Sequence, residues 1–117
     1  MAPTTLLGQN STTTPGGRDM SRDGSPIDLS QMLAITKGAV YIERTTVNSP
    51  KNVRKTKRAI KKAFKVQMAG LGFSLVEILS PCPTNWKKSP VDSQKWIDET
   101  MTLTFPLKVI KDEAGKL

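Results

Sequence analysis

One residue in this chain combines a reactive side chain with a setting that would hold it still. Cys82 is the single cysteine of 117 residues, and it stands between Pro81 and Pro83. Each proline fixes its own φ and steers the residue before it toward extended backbone, so a rigid, extended turn is expected around the thiol. A free cysteine is often just a small buried apolar group. A thiol fixed between prolines, directly after a strand, suits a metal ligand better. As a nucleophile it would lack an activating base, because the chain has no histidine. The same absence removes a His-based triad, a His-ligated zinc site and the commonest general base at neutral pH. A self-sufficient hydrolase is therefore not expected.

Charge is the second feature. The formal net charge is +8, from 18 Lys and Arg against 10 Asp and Glu. Eight of the bases (Lys51, Arg54, Lys55, Lys57, Arg58, Lys61, Lys62, Lys65) fall within residues 51–65, which hold no acid, so the remaining ten bases are balanced by the ten acids. A uniformly basic protein is excluded, and one local basic element remains. A helix with one apolar face and a solvated basic remainder explains it most simply. The rival reading is a small basic binding module for nucleic acid or an acidic protein partner. No known nucleic-acid motif accompanies the charges, so nucleic acid ranks last among the partners.

These residues need elements to position them. Residues 1–25 are rich in Ser, Thr, Gly and Pro and read as a loop. Three helix starts then share one form: Ser25-Pro26-Ile27-Asp28, Ser49-Pro50-Lys51-Asn52 and Ser89-Pro90-Val91-Asp92. Serine caps free backbone N–H groups, and proline at the first helical position loses nothing by lacking its own. Asp28 and Asp92 fall where an acid favours the positive helix end. The first helix is expected over 26–36, with Ile27, Leu29, Met32, Leu33 and Ile35 apolar. The second spans 50–69, with Val53, Ile60, Phe64 and Met68 on one buried face. The third spans 90–101 and buries Val91, Trp96 and Ile97. Strands are expected at 39–44 and 73–79.

Strands separated by helices imply parallel pairing, hence an α/β fold with a partial parallel sheet flanked by helices. The expected division is a loop segment at 1–25, an α/β half-domain at 26–102 and a C-terminal arm at 103–117, the arm extended and available as an edge strand. Ligands of open α/β sheets lie beyond the carboxyl ends of the strands, which points to loop 80–88. No run is long enough to span a membrane and no secretory signal opens the chain. The lone cysteine fits a reducing, cytoplasmic compartment.

The run Phe73-Ser74-Leu75-Val76-Glu77-Ile78-Leu79-Ser80-Pro81-Cys82-Pro83-Thr84-Asn85-Trp86 resembles the C-terminal region of the β subunit of 2-oxoacid:ferredoxin oxidoreductases, of the 2-oxoglutarate or 2-oxoisovalerate type. Met1-Ala2-Pro3-Thr4-Thr5, Gly8-Gln9, Thr12-Thr13-Thr14 and Gly17-Arg18 are similar to the segment just after that family's Thr-Gly-Gly-Gln turn. Thr46-Val47-Asn48 and Lys61-Lys62-Ala63-Phe64 match as well. The resemblance runs to about Lys111.

It implies the C-terminal half of a thiamine diphosphate-binding domain. It further implies oxidative decarboxylation of a 2-oxoacid to an acyl-CoA, with electrons passed through [4Fe–4S] clusters to ferredoxin. The cofactors would be thiamine diphosphate, Mg²⁺ and a [4Fe–4S] cluster. The partners would be the α subunit and further subunits, ferredoxin, coenzyme A and the 2-oxoacid. Cys82 matches the family's fourth cluster ligand, and Thr4 and Thr5 would lie near the diphosphate. The basic helix could attract ferredoxin or coenzyme A. The Gly-Asp-Gly…Asn stretch, the Thr-Gly-Gly-Gln turn and the other cluster cysteines are not in this sequence. Lys87 stands where relatives often have Gly, and Gly16 where they often have an aromatic residue. A C-terminal piece, inactive as an isolated chain, is expected.

Overall fold

A computed structural model describes residues 1–117. The chain forms two compact units, each assembled from two separate segments. One comprises Leu29–Ser80 and Phe105–Leu117, and the other Met1–Asp28 and Pro81–Thr104.

The first unit is built on a three-stranded sheet. Strand β1 (Ala39–Thr46) lies in the middle, with β2 (Phe73–Leu79) on one side and β3 (Lys108–Asp112) on the other. β1 is buried at every position except the half-buried Glu43, as a central strand rich in β-branched residues should be. β1 and β2 run parallel, from Ala39 opposite Phe73 to Thr46 opposite Leu79, as expected. β3 corrects the parallel-sheet expectation: it pairs antiparallel to β1, with Tyr41 opposite Asp112 and Arg44 opposite Lys108. The sheet is therefore mixed. A returning edge strand needs no crossover helix, so the helix–strand alternation upstream could not foretell its direction.

Where β1 and β2 begin, their backbones meet. Gly72 (φ 142°) would place a Cβ 2.6 Å from the Gly38 carbonyl oxygen and 2.7 Å from Val40 Cγ2. The Phe73 N–H donates to that same Gly38 oxygen at 2.8 Å. Only glycine tolerates that approach.

The β1–β2 crossover carries α3 (Pro50–Met68), capped by Ser49, whose Oγ accepts the Asn52 N–H at 3.2 Å. The buried face of α3 is Thr56, Ala59 and Val66. Val66 joins Val40 and Tyr41 in a core that Ala63, Val76 and Ala114 flank. This overturns the expected face, because Phe64 is 66 % and Met68 88 % exposed, with Ile60 exposed too. Small side chains at Ala59 and Ala63 let the helix approach the sheet closely, and the Thr56 hydroxyl is satisfied by the Thr46 carbonyl at 2.9 Å. Bulk and spacing alone favoured the wrong stripe.

Helix α2 (Leu29–Ala34) is shorter than the expected 26–36, and Leu29, Met32 and Ile35 are exposed. Ser25-Pro26 caps nothing. The Ser25 carbonyl accepts from Arg18 Nη2 at 2.8 Å, and the Ile27 N–H donates to the Pro3 carbonyl at 2.9 Å. Those backbone groups are committed to the N-terminal loop.

Arg18 organises the second unit. It is 6 % exposed, and its Nε donates to Gly24 O at 2.8 Å while Nη1 reaches the carbonyls of Pro3 at 3.1 Å and Thr5 at 3.0 Å. A fork of charged donors thus saturates carbonyls that a loop of this composition would otherwise leave unpaired. Residues 1–25 are accordingly an ordered loop holding one short helix, α1 (Met20–Asp23), capped by the Asp19 carboxylate. The unit's other segment contains α4 (Pro83–Trp86) and α5 (Pro90–Trp96). A π-helical turn (Ile97–Met101) and a last turn, α6 (Thr102–Thr104), come next. Ser89 caps α5 as expected, accepting the Asp92 N–H at 3.1 Å. Ile97 is buried as expected, Trp96 is half-buried, and Val91 is 64 % exposed, against expectation. No helix of the chain is long and apolar enough to cross a membrane.

Candidate functional site

Cys82 lies three residues beyond the carboxyl end of β2 and occupies the N-cap position of α4, with φ −128° and ψ 78°. The extended turn expected around it is half right. Pro81 continues the chain away from the strand, but Pro83 starts a helical turn, for which its fixed φ is suited. The Trp86 N–H closes that turn on the Cys82 carbonyl at 2.9 Å. The thiol is exposed. The turn ends at Lys87, the chain's one non-glycine residue with positive φ (55°), in the left-handed region. Glycine is the usual occupant of such a position.

The Cys82 loop is fastened to the N-terminal loop inside the same unit. The Thr12 N–H donates to the Asn85 carbonyl at 3.0 Å, and the Thr12 hydroxyl donates to the Asn85 side-chain oxygen. Thr4 is half-buried and Thr5 buried. The Thr5 N–H turns back to Ala2 O at 3.1 Å, and its carbonyl accepts from Arg18. Thr4, Thr5 and Cys82, distant in sequence, are thereby carried by one compact unit. A cleft of about 500 Å³ in that unit is lined by Leu6, Gln9, Trp86, Lys87, Lys88 and Trp96, among others. Neither the threonines nor Cys82 is among its lining residues. The two indole rings in its wall lie 4.9 Å apart at a tilt of 54°.

The donor set does not close around a metal. No group of three His, Cys, Asp or Glu side chains comes together anywhere in the chain. A [4Fe–4S] cluster takes four cysteine thiolates, and a chain with a single cysteine cannot hold one by itself. Thr4 and Thr5 supply only hydroxyl oxygens, so the two by themselves make no magnesium site.

Perturbed acids lie elsewhere. The Asp23 carboxyl is lowered to about 2 by its hydrogen bond from Arg22 and by the Asp19 N–H, and Asp19 is lowered chiefly by the Ser21 hydroxyl. Both belong to the cap of α1. The Tyr41 phenol is raised far above its ordinary value, first by burial and then by its hydrogen bond to Glu43. Two features of the structure are not foreseen from the sequence. These are the buried Arg18, hidden in a stretch with the composition of a linker, and the buried Arg44. Arg44 is 1 % exposed on the central strand, with Nε 2.7 Å from Glu77 Oε2. An arginine inside a β-branched run was the one available signal for Arg44.

No family model matches the chain, and no solved structure matches it. Among curated proteins, it is 40 % identical over 116 residues to the ketoisovalerate oxidoreductase subunit VorA of Methanothermobacter marburgensis, covering 99 % of this chain and 24 % of that protein. It is 37 % identical over 99 residues to the 2-oxoglutarate synthase subunit KorB of Archaeoglobus fulgidus, covering 85 % and 33 %. The M. marburgensis KorB is 34 % identical over 124 residues, covering 100 % of this chain and 39 % of the relative. The chain spans about a quarter of the length of the VorA relatives it matches. Along practically its whole length, this chain is similar to a part of subunits named for a ketoisovalerate oxidoreductase and a 2-oxoglutarate synthase.

Proposed function

We propose that the chain is the C-terminal part of the thiamine diphosphate-binding subunit of a 2-oxoacid:ferredoxin oxidoreductase. In that role it contributes the end of the cofactor domain and one cluster ligand. The carrying observation is the similarity to the ketoisovalerate oxidoreductase subunit over 99 % of the chain. The relatives bear both VorA and KorB names, so the assignment to the β, thiamine-binding subunit rests on the Cys-Pro-Thr-Asn-Trp loop rather than on those names. The reaction would be oxidative decarboxylation of a 2-oxoacid to its acyl-CoA, with ferredoxin as electron acceptor.

Within this reading each residue has a limited task. Cys82, exposed at the N-cap of α4, would supply one thiolate ligand to an iron–sulfur cluster whose other ligands lie outside this chain. Pro81 and Pro83 restrict the backbone on both sides, so little conformational freedom is lost on ligation. Thr12 and Asn85 hold the ligand loop against the N-terminal loop. Thr4 and Thr5, beside carbonyls held by the Arg18 fork, would lie near the diphosphate of thiamine diphosphate, a cofactor that supplies an electron sink for decarboxylation.

The isolated chain is inactive in this reading, because its donor set holds neither cluster nor magnesium. The test uses the purified chain under anaerobic conditions with thiamine diphosphate, Mg²⁺, coenzyme A, iron and sulfide. Ketoisovalerate and 2-oxoglutarate are the substrates, and ferredoxin reduction is the readout. No turnover and no stable cluster absorbance are expected. Turnover by the chain alone would show the proposal to be wrong.

A further inference from the structure

A second cleft, of about 380 Å³, opens in the sheet-bearing unit among residues of α3, β1 and the β3 strand with its lead-in. Its size is that of a small-molecule pocket, not of a protein-docking surface. Five cations line it, Arg44, Lys55, Arg58, Lys62 and Lys108, against two carboxylates, Glu43 and Asp112.

The pairings inside the cleft decide which charges remain available. Lys62 is bound to Asp112 and lies 5.2 Å over the Tyr41 ring. Glu43 accepts from the Tyr41 hydroxyl. Arg44 is buried and committed to Glu77. Asp112 is therefore neutralised by Lys62 and Glu43 keeps its charge, but no carboxylate lies within ion-pair distance of Lys55, Arg58 or Lys108, so these three cations outnumber the one remaining acid. Lys55 and Arg58 are one helical step apart, so they share a face of α3. Lys108 comes from β3, where it stands opposite Arg44. The surplus charge thus approaches the cleft from two different elements. No aromatic face is open for a base or ring to stack on, since Lys62 covers Tyr41. Charge is what such a site recognises.

We propose that this cleft binds a small multiply charged anion of the phosphate class, with inorganic diphosphate as its simplest form. Arg58 supplies a planar fork for phosphate oxygens, and Lys55 and Lys108 supply point charges. The site does not depend on which reaction the complete enzyme performs.

The test titrates the 117-residue chain with inorganic diphosphate at about 0.15 M ionic strength, where charges outside the cleft are screened, following backbone amide shifts. Saturable shifts are expected at Asn52, Lys55, Arg58 and Lys108. Lys55→Ala, Arg58→Ala and Lys108→Ala should each weaken binding roughly tenfold, as loss of a charge-assisted hydrogen bond does. Lys57→Ala and Lys61→Ala remove equal charge from α3 outside the cleft and should change affinity by less than about twofold, being screened. All five positions are exposed, and an unchanged helical circular dichroism signal confirms each fold. Equal weakening by the two control variants would reduce the effect to a diffuse basic field and overturn the site. Non-saturating shifts would overturn it as well. Tighter binding of an oligoglutamate peptide at the same residues would overturn the ligand class.

Discussion

Arg44 sits in the middle of the central strand with its guanidinium sealed from water, and Glu77, its register partner on β2, supplies the counter-charge. Glu77 also accepts from Ser30 on α2 at 2.5 Å, and the guanidinium lies 5.2 Å over the Phe105 ring. Removing one partner of a buried pair strands the other, so Glu77→Gln should lower unfolding stability by about 3 kcal/mol in urea titrations. Replacing Arg44 and Glu77 together by Met and Leu should cost much less. Tyr41 makes a second prediction. Its folded-state pKa is raised above the unfolded ~10, so the stability it contributes is complete below about pH 10 and is lost as pH rises through the folded value. Tyr41 is the one tyrosine of the chain, so phenolate absorbance reads it directly. The phenolate should appear together with alkaline unfolding, and Tyr41→Phe should flatten that loss. Ionisation near pH 10 with the fold intact would refute the burial argument.

At the scale of elements, one local signal met two outcomes. Ser49 and Ser89 cap helices as their Ser-Pro motifs indicate, while Ser25, in the same motif, does not. Ser49→Ala and Ser89→Ala should each cost about 1 kcal/mol, whereas Ser25→Ala should change thermal stability little. Equal losses at all three would mean that Ser25 caps after all. The difference lies outside the motif, in the Arg18 fork that takes the Ser25 carbonyl. Helix α3 shows the same limit. Its boundaries were legible to within one residue from Ser49-Pro50 and Gly70. Its buried face was not, since a stripe of bulky residues competed with one of small residues and the sheet accepted the small one.

At the scale of the molecule, α3 leaves Ile60, Phe64 and Met68 exposed, and β2 is an unpaired sheet edge with Phe73 and Ile78 exposed. Phe64 and Met68 are the most exposed of these and bury little within the folded chain. Substituting Phe64 and Met68 by serine should leave its stability within about 0.5 kcal/mol and raise its solubility. A large loss on denaturation would show that the stripe packs within the chain. The two clefts belong to different units and differ in kind: one carries paired indoles and two lysines, and the other is a basic pocket.

The sequence by itself determined the places of β1 and β2, the extent of α3 and the parallel β1–β2 pair. All of these come from local periodicity, capping residues and proline, which act over a few residues. Tertiary structure alone decided the antiparallel return of β3, the burial of Arg18 and Arg44, and the joining of the Cys82 loop to the N-terminal loop through Thr12 and Asn85. It also decided which face of α3 meets the sheet. Each of these depends on a partner distant along the chain. Close approach and the need to satisfy buried polar groups outweigh side-chain bulk there, and neither constraint leaves a mark on neighbouring positions in the sequence.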